Sequence, residues 1–151
     1  MNGSVERAYV VSLTIPDNEA FTALTTLGRM GLLVESIVRA DVWVANVANS
    51  AAAEQLDAAI RTMETIFNPN KHKLEIRTAT RPQAGEVWVT SRDEAPATTI
   101  AGRTIPGVNG IVRHTSWRLL DDRGHDVAPA LLAKATATFL CNPAFQRAIT
   151  A

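Results

Sequence analysis

A few residues in this chain could carry chemistry by type alone. They are His114 and His125 with the nearby Asp121-Asp122, the single cysteine Cys141, His72 between Lys71 and Lys73, and the arginines Arg39 and Arg113. His114, His125 and Asp122 would be the members of a small acid-base or metal site in the second half. Their spacing gives that site no support, because there is no His-x-x-x-His, no cysteine pair and no carboxylate-histidine cluster on one predicted helix. Asp121 to Asp126 reads instead as a solvated turn, and His72 as the start of a half-exposed strand. Cys141 ends an apolar helix and reads as a small buried side chain, with no histidine placed to activate it. No catalytic residue is assigned on these patterns, and neither a metal nor a cofactor is called for.

Arg39 and Arg113 carry more information because each recurs with a tryptophan. Ile37-Val38-Arg39 followed by Trp43 returns as Ile111-Val112-Arg113 followed by Trp117, 74 positions later. At that offset Ala23, Thr25, Gly28, Arg29 and Val34 match Ala97, Thr99, Gly102, Arg103 and Val108, and Asn68-Pro69 matches Asn142-Pro143. Nine identities between Ala23 and Trp43 point to an internal duplication. An arginine in such a place can fork onto a carboxylate, a phosphate or an acidic partner, or cover a tryptophan ring with its stem. Arg39, Trp43, Arg113 and Trp117 are therefore the candidate partner-binding residues, the tryptophans as core or interface anchors.

The elements that must position these residues follow from periodicity. Tyr9, Val11, Leu13 and Ile15 alternate with Ser12 and Thr14, which predicts a first strand. Pro16-Asp17-Asn18 supplies capping chemistry for a helix carrying Phe21, Leu24 and Leu27, closed by Gly28 or Gly31. Leu32–Ile37 and Val42–Val47 read as the two arms of a hairpin reversing at Arg39-Ala40-Asp41, with both faces of the second arm apolar. Asn49-Ser50 caps a second helix whose stripe runs from Leu56 through Ile60, Met63 and Ile66 to Phe67, stopped at Asn68-Pro69. Leu74 and Ile76 mark the closing strand.

A boundary falls between Thr78 and Gly85. Beyond it, Val87 to Thr90 reads as a strand, 95–103 as a poorly patterned counterpart of the first helix, either truncated or replaced by loop, and Ile111 to Leu120 as strand with a reversal near His114-Thr115. Asp126 reads as the cap of a helix bearing Leu131, Leu132, Ala135, Phe139 and Leu140, and Phe145 to Thr150 as a last strand. The fold class is α+β, two tandem ferredoxin-like (βαββαβ) modules with antiparallel sheets, the second irregular. The modules span 1–78 and 85–151. Two such units can bury their open sheet faces together.

Composition bounds the function. Fifteen basic and fifteen acidic residues cancel, so no net field attracts nucleic acid or an anionic membrane. No stretch reaches the roughly 20 apolar residues of a membrane span, and the first residues lack a signal-peptide core. One cysteine excludes an intrachain disulfide. A cytoplasmic protein without nucleic-acid or membrane partners is the expectation.

Three segments of the first half, AYVVSLTI, ALTTLGRMGLLVESIVRADVWVANV and IFNPNKHKLEI, together resemble the PurS small subunit of phosphoribosylformylglycinamidine synthase across residues 8–77. The second half joins the resemblance through GIVRHTSW and FLCNP. It implies a ferredoxin-like, sheet-associating, non-catalytic subunit that bridges a glutaminase and a large ATP-dependent synthetase in purine or purine-like biosynthesis, or associates with itself. The chain departs from the family in its short Ile15-Pro16-Asp17-Asn18 loop and in Ala40-Asp41 where the family has Gly-Lys. A second expectation, from another class, is a small-molecule-binding protein or enzyme of the tandem ferredoxin-like (dimeric α+β barrel) type, with His114 or His125 in a pocket between sheet and helices.

Overall fold

A computed structural model describes residues 4–151. The elements in chain order are β1 (Val5–Leu13), α1 (Asn18–Arg29), β2 (Ser36–Val47), α2 (Ser50–Ile60), β3 (His72–Arg77), β4 (Glu86–Ser91), β5 (Thr99–Ile100), β6 (Arg103–Thr104), β7 (Val108–Leu120), α3 (Pro129–Ala135) and β8 (Gln146–Thr150). A π-helical turn, Thr136–Leu140, continues α3. The fold is α+β with mostly antiparallel strands, in agreement with the class expected from the sequence.

The chain forms two compact units, and neither is a continuous stretch. One takes residues through Ile15, Asp41–Thr80 and Glu94–His114; the other takes Pro16–Ala40, Arg81–Asp93 and Thr115–Ala151. Each therefore draws on both 1–78 and 85–151. Strands β2 and β7 contribute one end to each unit.

In the first unit the strand order is β3-β1-β2-β7. β1 and β3 are antiparallel, with Tyr9 opposite Ile76, Val11 opposite Leu74 and Leu13 opposite His72. Asn49 caps α2 by accepting the Ala52 N–H at 2.8 Å, a bond that satisfies one of the donors a helix start leaves over. Buried Ala52, Ala53, Leu56 and Ile60 form one face of α2 and pack with Tyr9, Val11, Ala45, Val47, Ile100 and Ile111. Fully burying a side chain such as Leu56 or Ile60 contributes about 1.5–3 kcal/mol. Gly107 (φ +81) passes so close to α2 that a Cβ there would lie 2.6 Å from the Ala52 methyl, while its carbonyl accepts the Ala48 N–H at 2.8 Å. The positive φ and the missing Cβ both call for glycine here.

In the second unit the order is β2-β7-β4-β8. β4 is antiparallel to both neighbours, with Val87 opposite Trp117 on β7 and opposite Thr150 on β8. Asp17 caps α1 through the N–H groups of Glu19 and Ala20 at 3.0 and 3.1 Å, and Gly31 (φ +80) takes the left-handed turn after the helix. The core joins Leu27, Leu32, Val87, Leu119, Val127, Ala135 and Leu140.

Four local expectations are corrected. The hairpin at Arg39-Ala40-Asp41 is absent: β2 runs straight through it. No residue there favours positive φ or removes a donor, Ala40 is buried, and the polar neighbours Arg39 and Asp41 engage in lateral ion pairs. The reversal near His114-Thr115 is likewise absent, since β7 is one thirteen-residue strand. The second helix ends at Ile60, with Met63 and Ile66 brought into the core by the turns that follow. Asp126 does not cap α3, whose N-cap is Ala128 without a side-chain bond; Asp126 pairs with Arg118 at 3.0 Å instead. In 95–103, where the sequence left either a truncated helix or its replacement by loop, the chain takes the replacement: the β5–β6 hairpin, turned by Ala101 (φ 50) and Gly102 (φ 76).

Candidate functional site

The recurring arginines are both tied down by carboxylates. In the second unit Arg39 Nε lies 3.1 Å from Asp17 Oδ2, and its Nη2 lies 3.3 Å from Asp17 Oδ1. Its Nη1 reaches Glu19 Oε2 at 3.3 Å. The Arg39 and Asp17 side chains are each only 15% exposed, so this fork works in a partly desolvated setting where such pairs are strong. One carboxylate thus caps α1 and holds β2.

In the first unit Arg113 Nη2 lies 3.1 Å from Asp41 Oδ1, and its guanidinium sits 5.4 Å from the centre of the Trp43 ring. This pair is more exposed, with Arg113 at 52%. The two arginines therefore share a sequence pattern while serving different carboxylates. Trp43 and Trp117 are both partly buried against their own unit's core.

Beside each tryptophan lies a shallow depression. Trp43, Thr65, Ile66, Asp41, Ala101 and Arg113 line one of about 230 Å³. Trp117, Phe139 and Leu140, with Asn18, Glu19 and Ala23, line one of about 370 Å³. Three of these wall positions correspond at the 74-residue offset: Trp43 with Trp117, Thr65 with Phe139, Ile66 with Leu140.

The histidine candidates are separated in role. His114 is buried within β7. His125 is exposed and lends its backbone N–H to Asp121 Oδ1 at 3.0 Å. Arg123 donates a second N–H to the same oxygen at 2.9 Å. These two bonds, His125's first, hold the Asp121 carboxyl below the usual range. Asp122 is exposed. Among the described residues no three His, Cys, Asp or Glu side chains group to hold a metal ion. Cys141 is half-buried at the end of the π-helical turn.

No protein-family model matches the chain. No curated protein matches it either.

Two features went unread in the sequence. The first is that the Asn-Pro repeat carries a repeated hydrogen-bonded loop. Asn68 Oδ1 accepts the Asn70 N–H at 2.9 Å, and the Asn68 N–H is accepted by His72 Nδ1 at 2.9 Å. Asn142 Oδ1 accepts the Ala144 N–H at 3.1 Å, and the Asn142 N–H is accepted by Gln146 Oε1 at 2.9 Å. The asparagine carbonyls accept the His72 and Gln146 N–H groups at 2.8 and 2.7 Å. The signal was present, since His72 and Gln146 also stand 74 apart, but histidine and glutamine match only by what they accept. For that bond His72 must be neutral. Burial, then the charge of Lys71, lower its pKa, against a smaller opposing effect of Asp41.

The second is a cleft of about 760 Å³ in the second unit. Leu132, Ala133, Thr136 and Cys141, from α3 and the turn that continues it, line it together with Ala148 and Thr150 of β8 and Glu86 of β4. No helix among the described residues is long and apolar enough to cross a membrane.

Proposed function

We propose that this chain is a non-catalytic assembly subunit resembling the PurS component of phosphoribosylformylglycinamidine synthase. In this reading it bridges a glutaminase-type and an ATP-dependent synthetase-type subunit in the cytoplasm. The observation that carries the reading is where large apolar side chains are left in water. Phe21, Met30, Leu33, Val38, Phe139 and Phe145 are all exposed members of the second unit, Leu33 at 88% and Phe21 and Phe145 at 69%. Of the large apolar side chains left exposed among the described residues only Ile15 belongs to the first unit, and a unit that leaves so many in water is the one on which a protein partner would bury apolar surface. The arginines, by contrast, are engaged within their own units.

The chain is read as two copies of a ferredoxin-like unit in which the two central strands are merged into one, β2 in the first copy and β7 in the second. The matched Asn-Pro loops and the matched tryptophan depressions support this. Strand registers add that β1 corresponds to β4 at an offset of 78 if β3 corresponds to β8 at 74. The second copy is then four residues shorter, a deletion that falls between the end of β4 and Ala97, ahead of the β5–β6 hairpin.

The test is affinity purification of the native protein at mild salt. Glutaminase- and synthetase-type subunits should co-purify with the natural chain and be lost with Leu33→Asp or Phe21→Asp. Recovery of the chain alone overturns the proposal.

A further inference from the structure

Comparing the closing strands of the two units explains the cleft in the second. In the first unit, the closing strand β3 turns Leu74 and Ile76 onto the core beneath α2, with Tyr9 opposite Ile76. In the second, the corresponding strand β8 offers Ala148 and Thr150, and the residue opposite Thr150 is Val87. Each of the three side chains is cut back. Ala148 and Thr150 are left exposed, and with Leu132, Ala133 and Thr136 they border the cleft. Its volume, about 760 Å³, falls in the range of small-molecule sites.

A second, independent feature lies on the same wall. The helix widens there into a π-helical turn, in which the Cys141 N–H reaches back to the Thr136 carbonyl at 3.1 Å. Segments of this kind are uncommon and concentrate at functional sites. Thr136, Ala137 and Cys141 of that turn and its cap line the cleft.

We infer that this cleft is a binding site for a compact, uncharged apolar molecule. The chemistry of the occupant is set by what fills the matching place in the first unit, two aliphatic side chains and an aromatic ring. It is also set by the walls. Ala133, Ala137, Leu132, Pro129 and Ala148 offer no charge, and the one carboxylate side chain on the walls, Glu86, is 5% exposed and already accepts the Gln83 N–H and the Trp88 indole N–H at 3.0 and 3.3 Å, so an ion entering such a surface gives up hydration with little in return. Thr150 and Cys141 offer weak polar contacts suited to a hydroxyl or carbonyl rather than a charged group. The inference is independent of the assembly role.

The test uses benzyl alcohol as an uncharged probe and benzoate as its anionic counterpart. Binding is read from methyl NMR shifts of Ala133, Ala137 and Ala148 and from protection of Cys141, the only thiol, against N-ethylmaleimide. Benzyl alcohol should bind with a Kd on the order of 1 mM, at least about tenfold tighter than benzoate. The double variant Ala148→Leu, Thr150→Ile, which restores the first unit's side chains, should melt at a higher temperature and no longer respond to benzyl alcohol. If that variant does not fold, Ala137→Leu obstructs the cleft from the helix side and should have the same effect on binding. The inference is overturned by no response of the natural protein, by equal binding of benzoate, or by undiminished binding to a folded, filled variant. It is also overturned if sedimentation shows the natural protein dimeric and the filled variant monomeric, since the cleft would then hold a second copy.

Discussion

Arg39 on β2 grips Asp17, the residue whose carboxylate caps α1, with Nε 3.1 Å from Oδ2. Helix start and strand are therefore joined through one side chain. Asp17→Ala removes both the cap and the ion pair and should destabilise the protein by about 2 kcal/mol. Asp17→Asn keeps a capping oxygen and should cost about half as much. Urea unfolding curves compare the two; equal losses would mean that the cap contributes nothing beyond the charge.

Tyr9 is fully buried and donates to Asp57 Oδ1 at 2.6 Å, with Arg7 3.5 Å from the same oxygen. Burial, followed by the Asp57 hydrogen bond and charge, pushes the phenol far above its ordinary value of 10.0. A group whose folded pKa is raised contributes stability in full below its unfolded pKa and loses it as pH rises. Tyr9 is the only tyrosine, so tyrosinate absorbance should appear only as the protein unfolds in alkali. Tyr9→Phe should cost about 2 kcal/mol, typical of a hydrogen bond to a charged acceptor.

His72 sets an acid limit. Its Nδ1 accepts the Asn68 N–H at 2.9 Å only while unprotonated, and its pKa lies below 6.5 in the folded chain. The stability linked to this base is present above 6.5 and is lost as pH falls through the lower folded value. His72→Gln imitates Gln146, which makes the same bond in the second loop. It should keep the stability at neutral pH and flatten the acid-side slope. Thermal melts across mildly acidic buffers give the answer, and an unchanged slope in His72→Gln would move the effect elsewhere.

Arg113 and Trp43 touch but should not weigh equally. The Arg113 pair with Asp41 is half in water, and removing it as Arg113→Ala should cost at most about 1 kcal/mol. Trp43 packs against the core of its unit, and Trp43→Ala should cost about 3 kcal/mol. A double-mutant cycle by chemical denaturation would isolate their contact energy.

Much of the local structure could be read from residue patterns, because caps and stops are short-range chemistry. Asp17 and Asn49 cap the helices they were expected to cap, Gly31 turns the chain after α1, and Asn142-Pro143 follows the end of its helical segment, whereas α2 stops at Ile60, well before Asn68-Pro69. Where the reading erred, distant partners decided. Arg39-Ala40-Asp41 looks like a polar break between two apolar runs, yet Asp17 and Arg113 take up its charges and the strand continues. Asp126 has the composition of a cap, and Arg118 claims it. Candidate sites were harder still. The Asn-Pro loops hide their equivalence behind a histidine in one and a glutamine in the other, and the cleft arises from what Ala148 and Thr150 lack. An absent methyl leaves no periodicity to detect.

The discontinuous make-up of both units has a consequence during synthesis. Helix α1 leaves the ribosome before its packing partners, because Leu27, which it contributes to a core, meets Val87, Leu119 and Leu140 only after those distant residues are made. The nascent chain must therefore carry an unsatisfied apolar helix face until those residues are synthesised, a window in which a chaperone or a waiting partner could engage it.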